Sequence, residues 1–485
     1  MSAMRCFSLL LLATSVLLSS CEVGPNYRRP DAALINANTA QGSFVGATNA
    51  AVSEELPPDA WWQLYDDPRL DEWVRDALAS NTDLRKADAN LARSRASVQE
   101  ARALRQPSAA VTAGVQYAQL AGEQYLQPIT PPVATYYDTE LTVAYDLDLF
   151  GGIRRGIEAA QADDEAIAAA RDLVRINVVA ETLRAYADAC GAGQQLTAAQ
   201  KTLHIQTESL VLTDRLYHGG RATTLDIIRI RQLVDQQTGI IPPLEAARRN
   251  ALFRMATLTG KPPAEYHREL ESCDKTPRLL RPLPVGNGAE LLRRRPDVRE
   301  AERQLAAATA SIGVQTAALY PDIVIAAPLG SLGAARDAYT SPTNFWGIGS
   351  LVRWQANQSA TRARIAQAQA SARLALANFD GVVLAALGDL EVALNNYAHD
   401  LAREDSSTQA VKDAEQALKY AERLEVGGRA TSLTLVDAQR AYATAEQTLA
   451  QLETSISNDQ IGIFLALGGG WDTTPEVRPQ ESASG

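Results

Sequence analysis

The side chains that most often do chemistry are sparse in this sequence, and they form no recognisable catalytic set. The four histidines lie far apart among 485 residues, and none belongs to a His-Glu-x-x-His zinc motif. There is no Gly-x-Ser-x-Gly nucleophile turn. There is also no phosphate-binding loop, because Gly260-Lys261 is followed by Pro262-Pro263. The sequence therefore predicts no enzyme activity, no catalytic residue, no metal site and no cofactor.

Cys21 is the one residue whose setting indicates a specific covalent modification. Arg5 precedes an apolar run from Phe7 to Leu18, and Ser19-Ser20 then lead directly to Cys21. This order is typical of a secretory signal, and the apolar run is too short to span a bilayer. We predict that residues 1–20 are removed and that the Cys21 sulfur carries diacylglycerol, as in a bacterial lipoprotein. The next residue, Glu22, is compatible with transport of the lipoprotein to the outer membrane. An ordinary signal peptide followed by an incidental cysteine is the alternative.

Two further cysteines stay in the mature chain. Cys190 and Cys273 are 83 positions apart, and an exported protein could pair them. Cys190 lies in a helical Ala-Asp-Ala-Cys segment, where a cysteine usually behaves as a small buried residue. We therefore expect a buried thiol here rather than a disulfide.

Composition excludes two broad classes of protein. The chain has 46 Lys and Arg residues against 57 Asp and Glu residues, a formal net charge of −11, which does not suit a general nucleic-acid binder. The mean hydropathy is −0.16, and after the signal we find no apolar run of about 18 residues. A second membrane crossing would therefore have to use β-strands in a closed barrel.

The sequence contains an internal duplication. Gly219 to Thr223 recurs as Gly427 to Thr431, and Asp83-Leu84-Arg85 corresponds to Asp297-Val298-Arg299. Each half reads as a helix, two strands, a very long helix, a glycine turn and a return helix. The first helix is expected from Pro68 to Arg105 as one piece.

The long helices are the most unusual prediction. Residues 151–218 and 358–425 contain no proline, and each stretch would extend roughly 100 Å as a helix. Helices of this length need neighbours to stay straight. The Gly-Gly pairs should end them, and return helices should follow over 224–259 and 432–467. A long antiparallel coiled coil is the competing interpretation.

Alternating apolar and polar residues predict β-hairpins over 109–149 and 322–354. Their strand length suits a tilted membrane crossing, although a soluble sandwich would show the same alternation. Pro328 should weaken the third strand. Four strands cannot close a membrane barrel, and open edges cannot face lipid. Several copies would therefore have to pool their strands, eight in a dimer or twelve in a trimer, above a ring of the long helices.

Many ordered motifs resemble the TolC-like outer-membrane efflux protein family, in its lipoprotein branch that works with resistance–nodulation–division pumps. The resemblance covers nearly all of the mature chain. The matching stretches are Cys21 to Tyr27, Trp61-Trp62, Asp67-Pro68, Ala77 to Leu84, Asp146 to Gly151, Leu258 to Pro263, Leu291 to Glu302, Tyr320-Pro321 and Leu465 to Trp471.

The resemblance implies a mainly α-helical fold with a membrane β-barrel contribution. Four strands per protomer would form a twelve-stranded barrel in a homotrimer, with the helical hairpins forming a periplasmic α-barrel. The implied partners are outer-membrane lipid, a periplasmic adaptor protein and an inner-membrane pump of the resistance–nodulation–division class. The implied function is a passive exit duct that exports small molecules such as drugs. An outer-membrane component of type I secretion and a non-conducting, lipid-anchored periplasmic scaffold are the alternatives.

The same resemblance assigns residues to a docking tip at the periplasmic end of the helices. In the family, an Arg-Leu pair before each turn and the turn glycine contribute to adaptor docking. The corresponding residues are Arg215, Leu216, Gly219, Gly220, Arg423, Leu424, Gly427 and Gly428. Plain helix caps would explain the glycines equally well.

A periplasmic gate is implied next to the tip. Val436 to Arg440 resembles a family stretch whose acidic residue narrows the tunnel, so three copies of Asp437 would form a ring that favours cations. The position three residues earlier, often acidic in the family, is Thr434 here. The alternative is a surface Asp437 paired with Arg440 or Arg429.

The resulting domain organisation has six parts. They are a signal peptide (1–20), a lipidated N-terminal segment (21–60), a first repeat (61–265), an equatorial linker (266–290), a second repeat (291–470) and a C-terminal tail (471–485). One departure from the family concerns residues 354–359, where the second strand-to-helix junction lacks the usual glycines.

Overall fold

The computed structural model describes residues 22–48, 51–121, 128–427 and 429–469. Cys21, Gly428, the signal peptide and the tail after residue 470 lie outside the described residues. The fold is mainly helical, with one antiparallel sheet. Its helices are α1 (Pro68–Ser80), α2 (Thr82–Ala103), α3 (Gly152–His218), α4 (Thr224–Leu258), α5 (Gly288–Arg294), α6 (Pro296–Ala317), α7 (Ser359–Val426) and α8 (Ser432–Ala466).

The chain divides into two compact units. One comprises residues 22–30, 90–168 and 300–379 and contains the sheet. The other comprises 31–89, 169–299 and 380–469 and contains the main hydrophobic core. Short helical turns and a two-residue parallel strand pair, Val52–Ser53 with Leu283–Pro284, complete the second unit's ordered segments.

The very long helices are confirmed. Helix α3 has 67 residues and α7 has 68, while α4 and α8 have 35 each. Helix α4 continues through Pro242 and Pro243. The four helices therefore form two hairpins of nearly equal length, one on each side of the linker.

The prediction of a single helix from Pro68 to Arg105 is wrong. The chain breaks at Asn81, whose extended backbone ends α1 and whose side chain begins α2. Its Oδ1 accepts hydrogen bonds from the amides of Asp83 and Leu84 at 2.8 and 3.1 Å, which satisfies the free N–H groups of the second helix. Arg295 separates α5 from α6 for a different reason: it precedes Pro296, and the residue before a proline is driven out of the helical conformation.

The sheet contains five strands in antiparallel order. They are β1 (Ser108–Ala118), β2 (Ala134–Asp146), β3 (Asp322–Ala334), β4 (Asn344–Trp346) and β5 (Gly349–Arg353). Strand β1 pairs with β2, β2 pairs with β3, and β3 pairs with both β4 and β5. The two halves of the chain thus meet at the β2–β3 pair.

Pro328 does not interrupt its own strand, contrary to the sequence-based expectation. Strand β3 is continuous over 13 residues, and the break falls in its partner, between β4 and β5. The carbonyl of Pro328 accepts the Gly347 amide at 2.9 Å, so the nitrogen of Pro328 points to the same side. Because that nitrogen carries no hydrogen, the partner loses a ladder bond where the strand splits.

One helix departs from the expectation that no apolar stretch of about 18 residues follows the signal. By length and composition alone, α7 contains an 18-residue stretch that is apolar enough to cross a membrane. Only 17% of that stretch is buried within the chain. The same composition suits a helix face that packs against another chain.

The main core lies in the second unit. Trp61 is fully buried there and stacks on Phe464 of α8, with ring centroids 4.6 Å apart. Burying two aromatic rings of this size contributes several kcal/mol, so α8 is firmly attached near its C-terminal end. Buried side chains from α1, α3, α4 and α7 complete the cluster.

Cys190 and Cys273 form a disulfide, which corrects the expectation of a buried free thiol. Their Cα atoms are 4.8 Å apart, within bonding range. The bond ties the middle of α3 to the linker between the halves. Burial of Cys190 was predicted correctly, but helical sequence context gave no information about which distant residue lies against it.

Replacing both cysteines by serine should lower the free energy of unfolding by about 2–4 kcal/mol, because the unfolded chain regains the freedom of an 83-residue loop. Urea titration of the purified protein, with and without reductant, measures this. The wild type in reductant serves as the matched control and should unfold at a urea concentration close to that of the variant. Two titratable thiols per denatured, unreduced chain would contradict the disulfide.

Candidate functional site

One face of the sheet is apolar and uncovered. The pairing places Val111, Leu141 and Leu329 in one row across three strands, where they are 76%, 38% and 57% exposed. More exposed apolar side chains share that face: Val115, Tyr117, Val143, Tyr145, Ile325, Trp346 and Val352. The other face carries polar side chains such as Thr112, Glu140 and Thr142. An exposed apolar face of this size is typical of contact with lipid or with another protein.

Both edges of the sheet are open. Among the described strands, β1 pairs only with β2, and β4 and β5 pair only with β3. The outer backbone groups of β1, β4 and β5 are therefore available to another strand. An edge strand of 11 residues with an apolar face is a strong template for pairing.

Asp148 organises the first strand-to-helix junction. Its carboxylate accepts the amides of Ile153 and Arg154 at 2.9 and 3.1 Å, and thereby caps α3. Gly151 adopts a φ of 77°, which favours glycine, and it lets the chain turn from the strand into the helix. The predicted junction at Asp146 to Gly151 is therefore a defined turn with its own helix cap.

The second junction replaces glycine with an asparagine cap. The Oδ1 atom of Asn357 accepts the Ser359 amide at 3.2 Å and the Ser359 hydroxyl at 2.7 Å. The Trp354 indole and the Gln358 amide both donate to the Leu319 carbonyl, at 3.1 and 3.0 Å. Residues 354–359 thus start α7 without the glycines of the family pattern.

The first described residues of the chain are held at the first junction by Arg155. Its side chain is 2% exposed and donates to Asn26 Oδ1 at 2.6 Å and to the carbonyls of Val23 and Gly24 at 3.2 Å. The Glu22 carboxylate lies 3.4 Å away. The predicted lipidation residue, Cys21, lies outside the described residues, but the residue after it is fixed where strand meets helix. Sequence reasoning missed Arg155, because a single arginine in a charged helix carries no distinguishing signal.

The glycine turn between α3 and α4 has a defined cap geometry. Gly220 adopts a φ of 72°, the Arg221 amide donates to the Leu216 carbonyl at 2.8 Å, and the Gly220 amide donates to Tyr217 at 2.9 Å. These are the two bonds of a Schellman motif. Thr223 and Asp226 then form a capping box for α4, and the hydrogen bonds from Thr223 lower the pKa of the Asp226 carboxyl.

The second turn repeats part of this geometry. The Arg429 amide donates to the Leu424 carbonyl at 2.8 Å, as Arg221 does to Leu216. Gly428 lies outside the described residues. The Arg423 guanidinium lies over the Tyr420 ring, 4.6 Å from its centroid, and remains exposed. Arg215 and Gly219 are exposed at the first turn in the same way.

The structure brings the two turns together. A cleft of about 810 Å³ is lined by Leu216, Arg221 and Asp226 from the first turn region and by Glu425, Val426 and Leu433 from the second. A lining that combines apolar and charged side chains suits a polypeptide side chain inserted from a partner. Sequence reasoning assigned Leu216 to this end of the molecule but missed the cleft, because its two walls are about 210 residues apart.

Asp437 and its neighbours lie on an exposed face of α8. Thr434, Asp437 and Arg440 are all exposed, at helical spacings that share one side. Within the part of α8 and its surroundings that the structure describes, Asp437 forms no ion pair with Arg440 or Arg429. The surface-pair alternative is therefore absent from this protomer, and the carboxylate is available to a ligand or to another chain.

A set of polar contacts fixes the opposite face of α8 against α3. The Lys201 ammonium donates to the Tyr442 hydroxyl at 2.6 Å and to Glu446 at 2.9 Å. Gln439 donates to Ser209, and Asn458 donates to Asp188 at 3.0 Å. Burial, together with the Glu446 carboxylate, raises the pKa of Tyr442 to about 12. These contacts join the first hairpin to the second and determine which face of α8 carries Asp437. Sequence reasoning missed them because their partners are more than 200 residues apart.

Comparison with known proteins agrees with this architecture. A family model described as outer membrane efflux protein matches residues 73–261 and 288–469. The solved outer-membrane channel OprN is 33% identical, with a TM-score of 0.86 over 93% of this chain and 100% of that one. The toluene efflux pump outer membrane protein TtgC of Pseudomonas putida is 28% identical over 98% of each chain.

A third relative bears on the N-terminus. The probable outer membrane lipoprotein SilC of Salmonella typhimurium is 26% identical over 96% of this chain and 98% of its own length. No cluster of His, Cys, Asp and Glu within the described residues could hold a metal ion. With matches along both halves of the chain, the protein belongs to the outer membrane efflux protein family, a family of channels in the outer membrane rather than of enzymes.

Proposed function

We propose that three copies of this chain form the exit duct of a tripartite efflux system, a passive conduit from the periplasm to the exterior. The observation that carries this proposal is the sheet with an exposed apolar face and two open edges. In lipid, every strand edge must be paired, so the β1 edge of one copy pairs with the β4–β5 edge of the next. Each copy contributes four strand positions, since β4 and β5 together occupy one.

Three copies give a closed ring of twelve strands. The length and order of the helices support a ring of helices around the same axis. The two halves contain helical hairpins of nearly equal size, which supports the duplication proposed from the sequence. Two hairpins per copy place six around a shared axis. A ring of strands continued by a ring of helices encloses a channel, and the energy for export comes from an inner-membrane pump.

An uncovered stripe on α7 supports contact between copies. Gly381, Leu384, Gly388 and Val392 follow one another at three- and four-residue spacings. Leu384 and Val392 are 58% and 60% exposed, and nothing lies within 4 Å of a Cβ added at either glycine. Alternating small and large apolar residues let a neighbouring helix approach closely, so this stripe suits a second copy of the chain.

The tip residues serve adaptor docking in this proposal. Arg215, Leu216, Gly219 and Gly220 at one turn, and Arg423, Leu424 and Gly427 at the other, belong to the two turn regions that line the cleft. Gly428 is assigned to the tip from its sequence position alone. A periplasmic adaptor protein linked to a pump of the resistance–nodulation–division class would insert there. Asp437, beside Thr434 and Arg440, would line the constriction above the tip.

Lipidation of Cys21 gives the duct a second attachment to the outer membrane. The described start of the mature chain lies at the strand-to-helix junction, which supports acyl chains entering the same leaflet as the lower ends of the strands. The likeness to a lipoprotein relative supports it further. The mass of the mature protein tests it: Cys21→Ser should lose the acyl chains and diacylglycerol label.

Bilayer recordings test the conduit directly. The purified full-length trimer should produce discrete conductance steps in a planar bilayer, because a closed twelve-strand barrel encloses water. A trivalent cation added at the helical end should block the current, and Asp437→Asn should weaken that block while Asp413→Asn, on the exposed surface of α7, should not. A pure trimer that never conducts would instead support the periplasmic scaffold.

Charge reversal at the tip should separate docking from conduction. The double variant Arg215→Glu/Arg423→Glu should conduct normally but lose at least tenfold in drug tolerance conferred on cells that carry the cognate adaptor and pump. Exposed guanidiniums contribute little to folding, so the trimer should assemble. The matched control, Arg231→Glu/Lys412→Glu, reverses two exposed charges on the same hairpins away from the turns. Equal losses in both variants would remove the docking role from the tip.

A further inference from the structure

A basic cavity lies where α2 ends and α3 begins. Its volume is about 600 Å³, and three of its lining side chains are arginines: Arg102, Arg105 and Arg154. Gln106 and Gln161 add amide groups to the lining. All five belong to the unit that contains the sheet. Neither the adaptor tip nor the gate uses this cavity.

The charges in the cavity do not cancel. Arg154 pairs with Asp148 at 3.2 Å, and Glu158, the acidic lining residue, is occupied by Arg155 at 2.6 Å. Arg102 and Arg105 are exposed and form no ion pair with any residue that the structure describes. The cavity therefore carries two uncompensated positive charges, although the formal net charge of the chain is −11. Like charges held together in a concave site favour an anionic ligand.

The cavity lies at the level where the chain would enter the membrane. Strand β1 begins at Ser108, three residues after Arg105, or about 10 Å of extended chain. Val111, on the exposed apolar face, follows within that strand. The arginines thus stand just outside the segment that faces hydrocarbon, where the headgroups of the periplasmic leaflet lie.

The N-terminal contacts place lipid beside the same cavity independently of the strands. Arg155, adjacent in sequence to Arg154, holds Glu22 and Asn26 against the first turns of α3. Glu158 links that contact to the cavity wall, because it pairs with Arg155. Acyl chains on the residue before Glu22 would therefore enter the bilayer next to the arginines.

We propose that this cavity binds the phosphate of an anionic glycerophospholipid in the periplasmic leaflet of the outer membrane. Arg102 and Arg105 contact the phosphate oxygens as paired, charge-assisted donors, which is the geometry that guanidinium groups satisfy best. Gln106 and Gln161 contact the polar part of the headgroup. The acyl chains lie along the apolar face of β1. The inference rests on the proposed membrane placement of the strands, and it adds a lipid that fixes each protomer's depth.

Lipid counting tests the site on the intact trimer. The protein is reconstituted into nanodiscs of phosphatidylethanolamine with a minor fraction of phosphatidylglycerol, and native mass spectrometry counts the phosphatidylglycerol retained. We expect up to three molecules per trimer, one for each cavity. A dansyl-labelled phosphatidylglycerol, excited directly and followed by the change in its emission on binding, gives the affinity.

Arg102→Gln/Arg105→Gln should weaken binding of the labelled lipid about tenfold, because two charge-assisted bonds become neutral ones. The matched control is Arg362→Gln/Arg364→Gln, which removes two exposed, unpaired charges near the start of α7, outside this cavity, as judged from the described residues. The control should bind the lipid as the wild type does. Asp148 and Gly151 are left intact, so the junction should fold in both variants.

Three outcomes would overturn the proposal. Equal weakening in both variants would show diffuse attraction to the membrane surface rather than a site. Unchanged lipid counts in the Arg102/Arg105 variant would show that the cavity does not bind lipid. Displacement of the lipid by inorganic phosphate would identify a free-anion site. Conductance of the same protein preparations in planar bilayers keeps the two proposals apart, since a wild type that retains lipid but never conducts would contradict only the duct.

Discussion

An unpaired strand edge cannot face hydrocarbon, and this constraint determines how the chain can enter a membrane. The sheet of one protomer presents an apolar face on four strand positions but leaves backbone groups of β1, β4 and β5 unsatisfied. Each unmet backbone group would cost several kcal/mol in lipid. The chain therefore cannot enter a membrane alone, and its function as a conduit follows from the assembly that this requires.

In the rest of the fold, helix caps and long-range contacts hold the long helices in place. At the junctions, Asp148 and Asn357 begin the long helices at fixed points after the strands. In the second unit, the Cys190–Cys273 disulfide and the Trp61–Phe464 stack hold the middle of the helices, and Lys201 joins α3 to α8 nearer the turns. Because the helices are held in the middle, their ends near the turns can pack in more than one way. The tip cleft and Asp437 lie at those ends.

Local patterns in the sequence predicted the elements well, and distant pairings poorly. Proline-free stretches, glycine pairs and period-two alternation located the long helices, their turns and the strands, because each depends on neighbours in sequence. The break at Asn81 was missed because one side-chain cap outweighed an otherwise helical pattern. The disulfide, Arg155 and the Lys201 contacts were missed for another reason: their partners are 83 to more than 200 positions away. The split between β4 and β5 required knowing which strand lies opposite Pro328.

Cross-linking between strand edges tests the central claim most directly. A cysteine at Ala113 in β1, combined in turn with cysteines at positions 349–353 in β5, places one thiol on each open edge. On oxidation in outer-membrane vesicles, one register should give a covalent product of three chains that resists boiling in detergent and returns to one chain on reduction. Products confined to a single chain, or closed at two chains, would contradict a barrel shared by three copies.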